Sequence, residues 1–137
     1  MKRRRIHPDP TSDCTYQLIK TWLTRYDANH TCGQGQDEAL LPTRVIDVGP
    51  SDGSREPYLL ISDGGRGRYI TLSYCWSTSS TVVATRDNLN DHKIMILILK
   101  LPKTIQDTIF VIRSLGIPFL WADVLCIIQD SAQGEDW

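Results

Sequence analysis

The sequence predicts an α/β fold built around a partly parallel sheet, and three consecutive segments carry that prediction. A β-branched run, RYITLSYC, occupies residues 68–75. Apolar residues then recur at helical spacing over residues 102–115, and a continuous apolar run follows over residues 119–127. The order strand, helix, strand predicts two parallel strands joined by a right-handed helical crossover.

The first predicted element is an amphipathic helix that begins at Ser12 or Asp13, since either residue can cap it. Its apolar residues recur at steps of three and four: Leu18, Ile19, Trp22 and Leu23. The helix should end near Tyr26, because the turn-favouring segment DANHTCGQGQDE follows.

A short strand and then a two-stranded hairpin are predicted next. Val45, Ile46 and Val48 favour a short strand that the segment GPSDG closes. The runs YLLIS, residues 58–62, and RYITLSYC flank DGGRG, a glycine-rich turn that supplies positive backbone angles. We therefore expect these two runs to pair as an antiparallel hairpin.

Alternation assigns two faces to the second of these strands. Ile70, Leu72 and Tyr74 share an apolar face, whereas the opposite face is formed by Tyr69, Thr71, Ser73 and Cys75. Residues 77–92 predict a surface loop that is interrupted by the small apolar patch of residues 82–84.

The most strongly periodic helix is predicted to begin at Pro102 and to end at Gly116. Thr104 and Asp107 have the spacing of a weak capping box. The apolar run of residues 119–127 then predicts a strand that is buried on both faces.

Composition excludes several classes of function. The 15 Lys and Arg and 16 Asp and Glu give a net charge of −1, which argues against nucleic acid as a partner. The most apolar run, residues 94–99, is too short to cross a bilayer. The basic start MKRRR lacks the apolar core of a secretory signal, so a cytoplasmic location is predicted, with a nuclear address as the alternative.

The cysteines predict reduced thiols and no metal cofactor. They are scattered and form no CxxC pair: Cys14, Cys32, Cys75 and Cys126. Cys14, His30 and Cys32 could supply three zinc ligands, but no fourth ligand is evident and the spacing matches no common zinc finger.

The carboxyl ends of the two parallel strands are the predicted site, because parallel sheets bind ligands there. Ser73, Cys75, Trp76 and Asp123 are the candidates for pocket lining or contact, and no catalytic residue is predicted. Cys75 and Trp76 could equally be the buried rim of a strand.

Asp123 interrupts an apolar run, where an unpaired carboxylate would be costly to bury. It must therefore face solvent, serve a function or pair with a loop amide or with one of three arginines: Arg44, Arg68 or Arg113. Asp130 is expected to start a turn, and Trp121 is expected in the core. His30 and His92 lie in polar stretches and are predicted to be exposed.

Several segments together resemble one family. GRYITLSYCWS, LPKTIQDTIFVIRSLGIPFLWADVLCIIQDS and the terminal EDW are similar to the heterokaryon incompatibility (HET) domain of filamentous fungi, and TWLTRYDANHTC and LPTRVIDVG resemble the segment that usually precedes it. This resemblance implies three parts. They are a polar basic tail over residues 1–11, a preceding helix and strand over 12–56, and the N-terminal part of a HET domain over 57–137.

The resemblance implies a TIR-like α/β sandwich that takes part in non-self recognition and programmed cell death, acting through protein partners or self-association. It also implies an enzymatic alternative, since some TIR relatives cleave NAD with a glutamate held in a pocket. Glu38 and Glu56 lie in predicted loops and Glu135 lies two residues from the end, so the first hypothesis is a non-enzymatic domain. The family pattern continues beyond Trp137, which predicts an incomplete sheet with exposed apolar surface.

Overall fold

A computed structural model describes residues 9–29, 38–75 and 82–131 of the chain. The chain forms two compact units, Met1–Asp37 and Glu38–Trp137. Within the described residues, no helix has the length and apolar composition that crossing a bilayer requires.

The first unit contains the helix α1, Asp13–Asn29. Ser12 caps it as predicted, because the Thr15 amide donates both to the Ser12 carbonyl at 2.9 Å and to Ser12 Oγ at 3.3 Å. The helix continues past the predicted end at Tyr26, and the Asn29 side chain donates to the Arg25 carbonyl in its last turn.

Residues 38–75 and 82–131, the described part of the second unit, contain six strands. They are β1 (Ala39–Leu40), β2 (Arg44–Asp47), β3 (Tyr58–Ile61), β4 (Arg66–Gly67), β5 (Tyr69–Leu72) and β6 (Phe119–Ala122). Four of them form a mixed sheet in the order β3-β2-β6-β5, and β1 pairs with β4 in a separate ladder.

The pairing of β5 with β6 is parallel, as predicted, in a register that runs from Tyr69 opposite Phe119 to Leu72 opposite Ala122. β2 is antiparallel to both of its neighbours, β3 and β6. The sheet is therefore only partly parallel, and the α/β fold class is confirmed.

The predicted hairpin between residues 58–62 and 68–75 is wrong, because β3 and β5 lie at opposite edges of the sheet. Ile46 on β2 is fully buried and pairs with Leu59 on β3 on one side and with Leu120 on β6 on the other. The burial of this apolar strand outweighs the local turn signal.

The glycine-rich segment between β3 and β5 instead forms β4 and lies against β6. Gly67 is buried beside the Phe119 ring, where a Cβ atom would stand 2.8 Å from Phe119 Cε2. A glycine is favoured at this position because a Cβ atom would collide with the Phe119 ring.

The same described residues of the second unit also form three helices and a 3₁₀ turn: α2 (Leu89–Ile94), the turn Ile98–Lys100, α3 (Lys103–Leu115) and α4 (Asp123–Cys126). The periodic helix is confirmed as α3, and its buried residues are Ile105, Ile109 and Ile112. Gly116 ends it at φ 75°, as expected for a left-handed cap. The predicted capping box does not form, because Pro102 is the N-cap and Asp107 pairs with Lys103.

Two further predictions are corrected. α2 begins within the predicted surface loop of residues 77–92 and extends to Ile94. The predicted strand of residues 119–127 ends at Ala122, and Val124, Leu125 and Cys126 are buried in a helical turn instead. A continuous apolar run indicates burial but does not distinguish a strand from a buried helix.

Candidate functional site

The carboxyl ends of β5 and β6 bring three of the four predicted site residues to one edge of the sheet. Leu72 opposite Ala122 is the last pair in the register, so Ser73 and Asp123 follow on neighbouring strands. Ser73 and Cys75 are exposed and Asp123 is partly buried. Trp76 lies outside the described residues. We call this region the carboxyl edge.

Asp123 begins α4, and hydrogen bonds to its side chain and to its carbonyl explain why strand β6 ends there. Its Oδ1 accepts a hydrogen bond from the Val124 amide at 2.8 Å. Its carbonyl accepts from the Ile127 amide at 3.0 Å and from Gln129 Nε2 at 3.1 Å. The expectation that a loop amide would satisfy this carboxylate is met by Val124.

Two other parts of the chain, β2 and the segment at Ala84, hold α4 in place. Arg44 Nε on β2 donates to the Cys126 carbonyl at 2.8 Å. The Ala84 amide donates to the Val124 carbonyl at 2.9 Å, and the Ala84 carbonyl accepts from the Gln129 amide at 2.9 Å. The carboxyl edge is therefore fixed by backbone contacts that are far apart in sequence.

Charged residues near this edge also have defined roles. Asp130 follows α4, and its Oδ1 accepts from the Arg86 amide at 2.9 Å, which fits its predicted place beside a turn. Arg113 donates instead to the Val48 and Arg55 carbonyls, at the other end of the sheet, so it is not the predicted partner of Asp123.

Tyr74 is a residue of this edge that the sequence analysis assigned only to the core face. Its ring packs against the core, as predicted, but its hydroxyl is buried without a hydrogen-bond partner among the described residues. Burial, and secondly the negative charge of Asp123, raise the pKa of the Tyr74 phenol. A tyrosine at the end of an apolar strand face was the available signal, since a buried phenol normally needs a partner.

The thiols of the described residues are free: Cys14, Cys75 and Cys126. Burial raises the pKa of the Cys126 thiol to about 12, so this cysteine is an unreactive part of the core. Cys75 is exposed, and among the described residues its sulfur has no hydrogen-bonded base. The carboxyl edge thus has an exposed hydroxyl, an exposed thiol and a partly buried carboxylate, without a paired nucleophile and base in this part of the chain.

Glu56, one of the two described glutamates, lies at the opposite end of the mixed sheet, which we call the amino end. Glu56 precedes β3, which begins opposite Asp47, and Asp47 also lies opposite Phe119 at the start of β6. Glu56 Oε2 accepts a hydrogen bond from the Ile98 amide at 3.1 Å. Glu38 precedes β1, and its carbonyl accepts from Arg66 on β4. Glu135 lies outside the described residues.

A cleft of about 360 Å³ beside α2 is a second feature, and the sequence did not predict it. Apolar side chains form most of its lining, together with Asn88, Asp91, His92 and Lys100. His92 is 8% exposed, so the prediction of an exposed imidazole is wrong. The residue lies on a helix that contacts β3, and its Nδ1 is buried without a hydrogen-bond partner among the described residues.

One wall of the cleft belongs to an exposed apolar segment. Ile94 is 80% exposed and Leu99 is 88% exposed, and between them Met95 and Leu97 are also exposed. We call these four side chains the apolar ridge. The sequence analysis noted this run only as too short for a membrane span.

Of the three residues considered as zinc ligands, Cys14 is described, whereas His30 and Cys32 lie outside the described residues. Across residues 9–29, 38–75 and 82–131, no group of three or more His, Cys, Asp or Glu side chains is placed to hold a metal ion.

Among known proteins, a family model matches the half of the chain that contains both the carboxyl edge and the apolar ridge. The chain has no significant match among curated proteins or among solved structures. The family model described as Heterokaryon incompatibility protein (HET) matches residues 69–137, which include β5, α2, α3, β6 and α4. Because this match covers just over half of the 137 residues, the chain belongs to the heterokaryon incompatibility (HET) protein family.

Proposed function

We propose that this chain acts in fungal heterokaryon incompatibility, as a cytoplasmic signalling domain in the non-self recognition that leads to programmed cell death. It acts through contacts with another protein and not through catalysis. The observation that carries this proposal is the apolar ridge, which lies inside the segment matched by the family model. Contiguous exposed apolar side chains on a folded domain are typical of interaction surfaces.

The backbone of this segment supports a role in contact, because it is held in place while its side chains remain exposed. The Ile96 amide donates to the Pro57 carbonyl at 2.7 Å, and Ile96 itself is buried. The Ile98 amide donates to the Glu56 carboxylate at 3.1 Å. Alternate residues therefore anchor the segment, and the ridge side chains between and beside them point away from the core.

The alternative of an NAD-cleaving hydrolase, similar to TIR enzymes, is less well supported. Such chemistry uses a glutamate in a pocket, but Glu56 lies at the amino end of the mixed sheet, away from Ser73 and Asp123, and Glu38 lies beside the separate β1–β4 ladder. Asp123 is the described carboxylate at the carboxyl edge, and its Oδ1 already accepts from the Val124 amide.

Cell death in a filamentous fungus tests the proposal. Expression of the chain should reduce viability, and Ile94→Glu and Leu99→Glu should each restore growth, because a charge on the ridge opposes burial against a partner. Lys93→Glu is the matched control, since it places the same charge on an exposed neighbour outside the ridge. Equal killing by the ridge variants and the control would contradict a role of the ridge.

An assay of the purified chain with NAD separates the two functions. We expect no release of nicotinamide above the rate without protein, with an active NAD glycohydrolase as the positive control. Release that is lost in Asp123→Asn would instead favour the hydrolase. Ridge variants that restore growth, combined with no nicotinamide release, would support the contact function alone.

A further inference from the structure

The cleft beside α2 contains a buried polar atom that the described protein leaves unsatisfied. His92 Nδ1 is buried and has no hydrogen-bond partner among the described residues, although the cleft beside it has a volume of about 360 Å³. Most buried polar atoms in folded proteins are hydrogen-bonded, and an orphaned one needs an explanation. A partner that enters the cleft and displaces the groups that cover this nitrogen would supply the missing bond.

The position of His92 is set by the turn that precedes α2. Asn88 Nδ2 donates to the Val83 carbonyl at 2.8 Å, and Asn88 Oδ1 accepts from the Thr85 amide at 2.8 Å. The His92 amide then donates to the Asn88 carbonyl at 3.0 Å. The imidazole is therefore on a braced turn of helix, which favours a preorganised binding group.

The other lining residues define the chemistry of the occupant. The apolar walls include Val82, Met95, Leu97 and Leu101. The ionised groups of the lining are Asp91 and Lys100, one of each sign. Burial lowers the pKa of His92, which favours a neutral imidazole near pH 7. A cleft with no net charge and mostly apolar walls favours a neutral ligand over a phosphate or a carboxylate.

We propose that this cleft binds a small neutral organic molecule that has an apolar body and a hydroxyl group, and that the hydroxyl forms a hydrogen bond with His92 Nδ1. A hydroxyl suits this position because it can donate or accept, and so can pair with either tautomer of the neutral imidazole. The volume lies at the lower end of the range for small-molecule sites, which corresponds to a single substituted ring. This inference does not depend on the proposed signalling function.

p-Cresol and toluene are the test pair, because they share a methyl-substituted ring and differ in one hydroxyl. Added to the full chain, p-cresol should bind saturably and shift the ¹⁵N resonance of His92 Nδ1. His92→Phe should weaken p-cresol binding by about tenfold, the effect of one buried hydrogen bond. Toluene binding should change by less than about twofold in that variant, since toluene makes no such bond.

Two further variants keep the test decisive. Lys93→Gln, on an exposed neighbouring position of α2, should leave both affinities unchanged. Leu97→Trp fills the cleft from a partly exposed position without changing His92, and it should abolish binding of both probes even if His92→Phe does not fold. The proposal is overturned if p-cresol does not bind saturably, if its binding leaves His92 Nδ1 unshifted, or if His92→Phe retains full p-cresol affinity. It is also overturned if the shift follows protein concentration instead, because a second chain would then cover the cleft.

Discussion

The two ends of the mixed sheet use their polar side chains differently. At the amino end, Arg113 donates from α3 to the Val48 and Arg55 carbonyls at 2.6 and 2.8 Å. Asp47 Oδ1 accepts from the Gly49 amide and from Arg55, both at 2.8 Å. At the carboxyl edge, the Tyr74 hydroxyl is buried with no partner among the described residues. Polar groups at the amino end stabilise the fold through hydrogen bonds, whereas at the carboxyl edge a buried hydroxyl lacks a partner in the described part of the chain.

The largest expected effect is at the amino end. Arg113→Ala should lower the free energy of unfolding by about 3 kcal/mol, because it removes two charge-assisted hydrogen bonds and leaves the carbonyl of the buried residue Val48 without this donor. Urea unfolding followed by tryptophan fluorescence measures the change. Arg113→Lys should lose less, since it keeps the charge but not the fork of donors. The exposed-site control Lys93→Ala should change stability by less than about 0.5 kcal/mol, and an equal loss there would contradict the assignment.

A pair of glycines tests how tightly the amino end is packed. Gly49 and Gly64 both have φ +78°, but a Cβ on Gly49 would lie 2.8 Å from the Arg55 carbonyl oxygen, whereas nothing lies within 4 Å of one on Gly64. Gly64→Ala should cost about 1 kcal/mol through backbone conformation alone. Gly49→Ala should cost about 2 kcal/mol more, because the loop held by Arg113 must also move. Equal costs in thermal or urea unfolding would show that the loop yields freely.

Local apolar periodicity correctly predicted the elements whose tertiary contacts bury the same residues that the pattern marks as apolar. The α3 helix has Ile105, Ile109 and Ile112 on one face, and that face is buried against the sheet. The parallel pair β5 and β6 followed from two apolar strands separated by this helix. In such segments the local pattern and the tertiary contacts favour the same structure.

Other elements were decided by contacts that the local pattern does not contain. β3 was assigned to β5 because a glycine-rich turn separates them, but it pairs with β2, whose Ile46 needs apolar neighbours on both sides. The apolar run after Phe119 was buried as predicted, but as strand and then helix. Long-range pairing of this kind outweighs turn propensity.

The positions of Ser73 and Asp123 in the sheet were predicted, but the burial of the polar groups of Tyr74 and His92 was not. Ser73 and Asp123 follow paired strand ends, as the rule for parallel sheets predicts. Tyr74 was missed as a polar group because the alternation placed it on the apolar face. His92 was misassigned because its burial depends on contact between α2 and β3, and β3 is about thirty residues away in sequence.

At the carboxyl edge, Tyr74→Phe should increase the free energy of unfolding at pH 7 by about 1 kcal/mol, since it removes a buried hydroxyl with no described partner. The raised pKa means that folding favours the neutral phenol. The preference of the fold for the neutral phenol costs no stability below the ordinary pKa of 10. As the pH rises through 10 toward the folded-state pKa, it lowers the free energy of unfolding. The wild type should therefore lose more stability than Tyr74→Phe in alkali, as measured by urea unfolding between pH 8 and pH 11. Tyr69→Phe, on strand β5 that precedes Tyr74, is the control.

The smallest expected effect is an acid-sensitive charge at the amino end. Asp52 accepts a hydrogen bond from the Ser54 amide at 2.9 Å, and this bond, with a smaller contribution from the positive charge of Arg113, lowers the pKa of Asp52 below its ordinary value of 3.8. A lowered pKa stabilises the fold above about pH 3.8, and the stabilisation is lost as the pH falls through the folded-state value. Asp52→Asn keeps an acceptor for the Ser54 amide but removes the charge. The stability difference between the wild type and this variant should therefore narrow between pH 6 and pH 3, and should be smaller in an Arg113→Ala background. A difference that does not change with pH would mean that the side chain acts only through its hydrogen bond, and the amino end would then depend on the geometry of its backbone contacts more than on charge.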